Sequence, residues 1–143
     1  MIVEQFRVLP FSSDLLKDLV CDINSYKQFV PYLHDSSIIS EDAGVVEGKL
    51  TIKFGPFLKS FNTLNSFNED REVLNLSLKE GPFRDFKGHW SFEELSENST
   101  RVGFFIEFNF RNSYFDKPFE HAVGYIYSHI IDSFAQEAHK RFN

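Results

Sequence analysis

DKPFEHAVGYIYSHIIDSFAQEAHKRF, residues 116–142, is the stretch that decides the fold. It reads as one long helix. Asp116 is suited to cap its start, and Pro118 fits a first turn, where a missing N–H costs nothing. Phe119, Val123, Ile126, Ile130, Phe134 and Ala138 recur at intervals of three and four, so they share one face. Glu120, His121, Asp132, Gln136, His139 and Lys140 largely occupy the rest. Such a helix spans ~40 Å at 1.5 Å per residue and needs a sheet to lie against. Gly124 interrupts its apolar side at ~1 kcal/mol against alanine. That predicts a close backbone approach there, from a strand or a ligand.

The stretches before it supply the sheet. Residues 2–9 alternate weakly and stop at Pro10, a first strand whose buried face the pattern does not indicate. Ser12 or Ser13 is placed to cap a short helix carrying Leu15, Leu16, Leu19 and Val20, with Asp14 favouring the dipole of its first turn. Asn24 or Ser25 would cap a second, holding Tyr26, Phe29 and Val30 and ended by Pro31. From Ser36 the period changes to two. Ile38 and Ile39 suggest a strand, and Leu50, Ile52 and Phe54 alternate with Lys49, Thr51 and Lys53. Phe57, Phe61, Thr63, Asn65 and Phe67 share one parity, as do Leu74, Leu76 and Leu78, then Phe86, Gly88, Trp90 and Phe92. Val102, Phe104, Ile106, Phe108 and Phe110 give the cleanest strand signal. Turns at Asp42-Ala43-Gly44, Gly55-Pro56, Asn68-Glu69-Asp70, Gly81-Pro82 and Ser96-Glu97-Asn98-Ser99 are short, which implies an antiparallel meander with one covered face. The expected fold is α+β: seven curved antiparallel strands wrapped around a long C-terminal helix, with two short helices after the first strand. No linker or repeat divides residues 1–143, so one domain is expected.

Eighteen of the 143 residues are Phe. Each ring buries a large apolar area. Such a composition fits a ring-packed core or an apolar cavity walled by rings. Net charge is −6. Residues 49–89 are mildly basic, at +2 against −8 for the rest, which fits a solvated sheet face or a phosphate-docking one. Cys21 is the single cysteine, so no intrachain disulfide forms and a reducing compartment is expected. No run of 18 apolar residues is present, and residues 1–7 lack the basic and apolar regions of a signal peptide. A cytoplasmic protein is expected.

Catalytic motifs are missing. The five histidines form no HExxH and no i, i+4 pair, and no GxSxG, P-loop or GxGxxG occurs. His121 and His129 read as solvated, and Cys21 as a small buried hydrophobe. Asp85 and His89 lie on the parity opposite Trp90, outside any cavity. Gly81-Pro82-Phe83 and Gly88 read as a turn and a strand bulge. Thr63 and Asn65 differ: if Phe61 and Phe67 point inward, so do they. They then bond neighbours or the polar head of a ligand.

Three stretches carry a family resemblance: Leu9-Pro10-Phe11-Ser12, then Asp22-Ile23-Asn24-Ser25-Tyr26-Lys27-Gln28-Phe29-Val30-Pro31, then Gly81-Pro82-Phe83 with Gly88-His89-Trp90-Ser91-Phe92. Glu107-Phe108-Asn109-Phe110 and Gly124 also fit. With the order strand, two helices, six strands, long helix, the chain resembles the START-like, helix-grip domains of the polyketide cyclase/dehydrase superfamily. Within them it is similar to the coenzyme Q-binding protein and ribosome-association toxin family. Lys27 departs from the proline expected after Tyr26.

The resemblance implies a non-catalytic protein with no metal and no required cofactor. It would hold an isoprenoid quinone of the ubiquinone class, or another lipid, between sheet and helix, in support of respiration. The expected walls are Leu50, Ile52, Phe54, Phe61, Leu76, Phe86, Trp90, Phe104, Ile106 and Phe108 on the sheet and Val123, Ile126 and Ile130 on the helix. Thr63 and Asn65 supply the polar groups. The alternative it implies is a toxin that binds the large ribosomal subunit and blocks subunit association. That role would use Lys49, Lys53, Lys59, Arg84 and Lys87. Partners would then be the lipid, the ribosomal subunit or a transient membrane surface at the periphery of the inner membrane, and not DNA. A dry pocket of ~300 Å³ would cost ~7 kcal/mol at ~24 cal/mol per Å³. The cavity is therefore expected to be narrow, hydrated or filled.

Overall fold

The computed structural model describes residues 1–112, 114 and 116–143. Seven strands form one antiparallel sheet: β1 (Ile2–Leu9), β2 (Leu33–Asp42), β3 (Val45–Phe54), β4 (Phe57–Phe67), β5 (Val73–Glu80), β6 (Phe83–Ser96) and β7 (Ser99–Phe110). Their order is β1-β7-β6-β5-β4-β3-β2, so β2 to β7 run as a meander and β1 pairs back onto β7. The turn joining β2 to β3 holds Ala43 at φ 52 and Gly44 at φ 80. Positive φ at both positions matches the right-handed twist of the flanking strands.

Alternation decides the inner face. Val102, Phe104, Ile106, Phe108 and Phe110 are all buried, as are Phe86, Trp90 and Phe92 on β6. On β1 the buried residues are Val3 and Leu9, while Ile2, Phe6 and Val8 face outward and are exposed. Gly88 is not at a bulge: β6 and β7 stay in register there, and the irregularities fall at Phe83/Asp85 and Glu94/Ser96. A Cβ on Gly88 would come to 2.4 Å from the Phe105 carbonyl, so the glycine allows close approach of the β7 backbone.

Between β1 and β2 lie α1 (Ser13–Cys21) and a 3₁₀ helix, Ile23–Gln28. Ser12 caps α1, its Oγ accepting from the Leu15 N–H at 3.3 Å. The 3₁₀ helix has no side-chain cap. Asn24 instead accepts from the Ile38 N–H at 2.9 Å, and the Lys27 N–H donates to Ser36 Oγ at 3.1 Å. Tertiary ties to β2 replace the expected cap. Cys21 is exposed rather than buried.

The expected long helix is two, α2 (Lys117–Ser128) and α3 (Ile130–Phe142), broken at His129. The His129 N–H reaches both Tyr125 and Ile126 carbonyls at 3.2 Å. The Ser128 carbonyl, which a continuous helix would bond to the fourth residue on, accepts from Gln5 Nε2 at 2.6 Å. Arg7 pairs with Asp132 just beyond. Two side chains of β1 thus hold the break, a known cause of helix kinks. Asp116 does not cap α2 with its side chain; its carboxylate is turned to Lys59. Gly124 meets the Met1 side chain, whose Sδ would lie 3.1 Å from a Cβ, and neither strand backbone nor the cavity described below.

The outer face of β3 and β4 carries a polar network. Glu47 accepts from Asn62 Nδ2 at 2.7 Å and from Lys79 Nζ at 2.9 Å. These bonds, Asn62 first, hold its carboxyl below the usual carboxylate range. A depressed folded pKa stabilises the fold above the unfolded value of ~4.3, and this is lost as pH falls through the folded one. Urea unfolding at pH 6 and pH 3.5 is expected to show a smaller acid loss in Glu47→Gln than in the parent. An equal loss would contradict the network's role.

Candidate functional site

Rings on the inner face do two different things. Around Phe83 they pack on one another: Phe86, Phe108 and Phe110 lie at centroid distances of 5.0, 5.9 and 4.7 Å. Toward the α2–α3 junction they leave space. A cavity of about 50 Å³ lies there between β3, β4, β5, β6, β7 and the two helices, with Tyr26, Val30 and Leu33 closing one side. It has room for a few waters. At ~24 cal/mol per Å³ its cost is about 1 kcal/mol, within reach of a small domain's stability. The expectation of a narrow cavity is met.

Most of the expected wall residues meet at this cavity: Leu50, Ile52, Phe61, Thr63, Asn65, Leu76, Trp90, Phe104, Val123, Ile126 and Ile130. Four do not. Phe86 and Phe108 belong to the block of rings around Phe83 and both touch Tyr127. Ile106 is wholly buried, its side chain filling the space over Gly88. Phe54 lies half-buried at the end of β3, edge-on to Tyr32 and against His121. Alternation tells which face a side chain takes, not whether it meets a ring or free space.

Six lining residues were not foreseen: Ile23, Tyr26, Val30, Leu33, Tyr127 and Phe134. Phe134 and Tyr127 were within reach of the helical spacing, Tyr127 standing four residues after Val123. Ile23, Tyr26 and Val30 come from the segment before β2, whose placement over the sheet depends on tertiary bonds, and Leu33 opens β2 itself.

The polar groups of the cavity fall into two kinds. Asn65 Nδ2 donates to the Val46 carbonyl at 3.0 Å and to Thr63 Oγ1 at 3.1 Å, so its donor side is used within the fold. Tyr26 donates its hydroxyl to the Val20 carbonyl. Tyr127 differs. Its ring is stacked on Phe104 at 5.6 Å and is 7% exposed, yet its hydroxyl has no hydrogen bond to the described residues. Every fully enclosed polar side-chain atom among those residues does have a partner, so this hydroxyl is not fully enclosed. Burial alone pushes the Tyr127 phenol well above its usual pKa, and burial chiefly does the same for Tyr26. Both remain neutral donors. Among the described residues no carboxylate, histidine, lysine or arginine lines the cavity.

The five basic residues expected on the outer sheet do not form a free patch, and Lys59 is not on that face at all: it stands opposite Ile52 on the inner face of β4, beside Phe119 of α2. Lys59 pairs with Asp116, Arg84 with Asp85 at 3.1 Å and Lys87 with Glu107 at 3.6 Å. Lys49 and Lys53 remain exposed on β3. His121 and His129 are exposed, and Asp85 lies on the outer face. Among the described residues no group of His, Cys, Asp and Glu is placed to hold a metal ion, and no helix is long and apolar enough to cross a membrane.

The profile of the family described as polyketide cyclase / dehydrase and lipid transport matches residues 9–134. The chain is 26% identical over 136 residues to the ribosome association toxin RatA of Escherichia coli strain K12, covering 95% of this chain and 85% of that protein. It is 26% identical over 136 residues to the mitochondrial coenzyme Q-binding protein coq10 of Schizosaccharomyces pombe, covering 92% and 83%. Its fold superposes on the ZhuI aromatase/cyclase of Streptomyces sp. R1128 with a TM-score of 0.82 at 17% identity, over 100% of this chain and 96% of that one. That last likeness is one of fold.

Because Tyr127 loses no internal hydrogen bond, Tyr127→Phe is expected to change unfolding free energy by less than ~0.5 kcal/mol, against ~0.5–1.5 kcal/mol for Tyr26→Phe. Urea denaturation of both variants measures the difference. An equal cost would mean that the Tyr127 hydroxyl is bonded within the fold.

Proposed function

The chain belongs to the polyketide cyclase / dehydrase and lipid transport family, and from that premise we propose that it is a non-catalytic carrier of an apolar ligand, an isoprenoid quinone of the ubiquinone class. The observation that carries this reading is an apolar cavity lined by Tyr127, whose hydroxyl bonds nothing among the described residues. A ligand with an apolar chain and a carbonyl-bearing head supplies what the hydroxyl lacks. Among the described residues the cavity's titratable lining groups are Tyr26 and Tyr127, both held neutral, which supports a carrier over a cyclase needing a general acid and base. The relative named as a coenzyme Q-binding protein supports the same ligand class. In this reading the protein works in the cytoplasm and supports respiration by exchanging quinone with the surface of the inner membrane.

Space is the constraint. About 50 Å³ is far below the ~300 Å³ at which small-ligand pockets begin. A bound quinone requires the cavity to widen, and the binding energy must offset that cost.

A second reading follows from the relative named as a ribosome association toxin: docking on the large ribosomal subunit to block subunit association. The ion pairs of Lys59, Arg84 and Lys87 weigh against it, since RNA affinity rests on basic side chains free to neutralise phosphates.

Organic extraction of the purified protein, followed by mass spectrometry, is expected to return an isoprenoid quinone above background; its absence would count against the carrier. Affinity for ubiquinone-0, a head group with no chain to hold it elsewhere, is expected to fall by roughly fivefold in Tyr127→Phe, the worth of about one hydrogen bond. Cosedimentation with 50S subunits at two salt concentrations separates the readings. The carrier reading expects no salt-sensitive binding, and binding that falls as salt rises would favour the toxin.

A further inference from the structure

A second hollow lies beside the cavity. It holds about 260 Å³ between the end of α1, the β2–β3 turn and the β4–β5 turn, and Cys21, Glu41, Ser66 and Arg71 are among its walls. Ile23 and Asn65 border both spaces. Asn65 is tied to β3 by its bond to the Val46 carbonyl. Ile23 is not tied in this way. It is 5% exposed, yet it stands outside the contiguous cluster of buried core side chains. It rides on the uncapped 3₁₀ helix, a geometry with weaker hydrogen bonds than an α-helix. Its Cδ1 rests over Gly48, where an added Cβ would come to 3.0 Å. The glycine makes the seat.

We infer that Ile23 is a movable partition, and that the occupied site runs past it from the inner cavity into the outer hollow. This rests on the carrier reading above. Joined, the 50 Å³ and 260 Å³ spaces make about 310 Å³, which reaches the ~300 Å³ at which ligand pockets begin. The inner cavity alone is too small for an amphiphile, and no charged group among the described residues lines it to hold a head.

The chemistry of the two ends differs. The inner end is apolar and takes a chain. The outer end offers the Arg71 guanidinium, which lies over the Phe67 ring at 4.3 Å and enters no ion pair among the described residues. Arg71 holds φ 61, a left-handed conformation. With Ser66 beside it, this end suits a head rich in hydrogen-bond acceptors: quinone carbonyls, or the carboxylate of a fatty acid. A seat on the Arg71 side, away from the Glu41 carboxylate that also lines the hollow, disfavours a cationic head. Tyr127 then meets a ligand on its way through, or one short enough to lie wholly inside.

Trp90 is the single tryptophan and lines the inner cavity, so its fluorescence reports arrival there. Stopped-flow quenching by decylubiquinone is expected to run roughly tenfold faster in Ile23→Ala than in the parent, equivalent to ~1.4 kcal/mol off the barrier. Ile23→Val, a milder change, is expected to fall between. Arg71→Gln is expected to weaken equilibrium binding severalfold, although Arg71 does not line the inner cavity. Dodecanoate is expected to compete with the quinone and dodecyltrimethylammonium is not; the ratio of the two affinities tells a carbonyl head from a carboxylate. Unchanged rates in both Ile23 variants, unchanged affinity in Arg71→Gln, or competition by the cation would overturn the inference. In those cases saturable quenching in the parent would leave the carrier reading standing. Absence of saturable quenching in the parent would remove both.

Discussion

Aromatic side chains on one face of a curved sheet cannot all be brought flush against the helices that cover it. That constraint shapes the interior. Where Phe83, Phe86, Phe108 and Phe110 meet, ring packs on ring and the space closes. Where Phe61, Trp90, Phe104 and Phe134 face the α2–α3 junction, Trp90 still meets Phe104 and Phe134 at 4.7 and 5.0 Å, yet the rings do not fill the space and a cavity of about 50 Å³ is left. Its small size follows from energetics: each further 100 Å³ of dry void would cost ~2–3 kcal/mol, a large share of the ~5–15 kcal/mol that holds a small domain together.

The helix break belongs to the same geometry. Gln5 and Arg7 of β1 reach the Ser128 carbonyl and Asp132, so an edge strand of the sheet holds α2 and α3 apart at His129. Ile126 and Tyr127 before the break and Ile130 after it all line the cavity. The junction is therefore the part of the helical cover that the sheet directs most closely. A ligand that widens the interior works against β1 at this point and against Ile23 on the other side.

The sheet was legible in the sequence because strands with one covered face write their register as parity. The alternation of Val102, Phe104, Ile106, Phe108 and Phe110 named the inner face of β7 without error, and the short turns ordered β2 to β7. The break at His129 was not legible. The apolar stripe passes through it unbroken, with no proline nearby, and its cause sits on β1, more than 120 residues away. The 3₁₀ helix was misread for a similar reason: Asn24 looks like a cap but bonds β2. Among cavity residues, Ile106 and Phe108 were placed on the correct face yet fill solid packing. Tyr127 was passed over because a phenol in an apolar stripe reads as wall, and an unmet hydroxyl shows only when its neighbours are in place. The lysines looked free in the sequence, since Asp116 and Glu107, which pair with Lys59 and Lys87, lie far from them along the chain.

The account stands on occupancy of the interior by a ligand. The most direct test is nuclear Overhauser transfer from decylubiquinone to protein labelled at isoleucine methyl groups. Transfer to Ile52, Ile126 and Ile130, which line the cavity, is the predicted result. Transfer confined to the exposed Ile2 and Ile39 would place the quinone on the surface and contradict it.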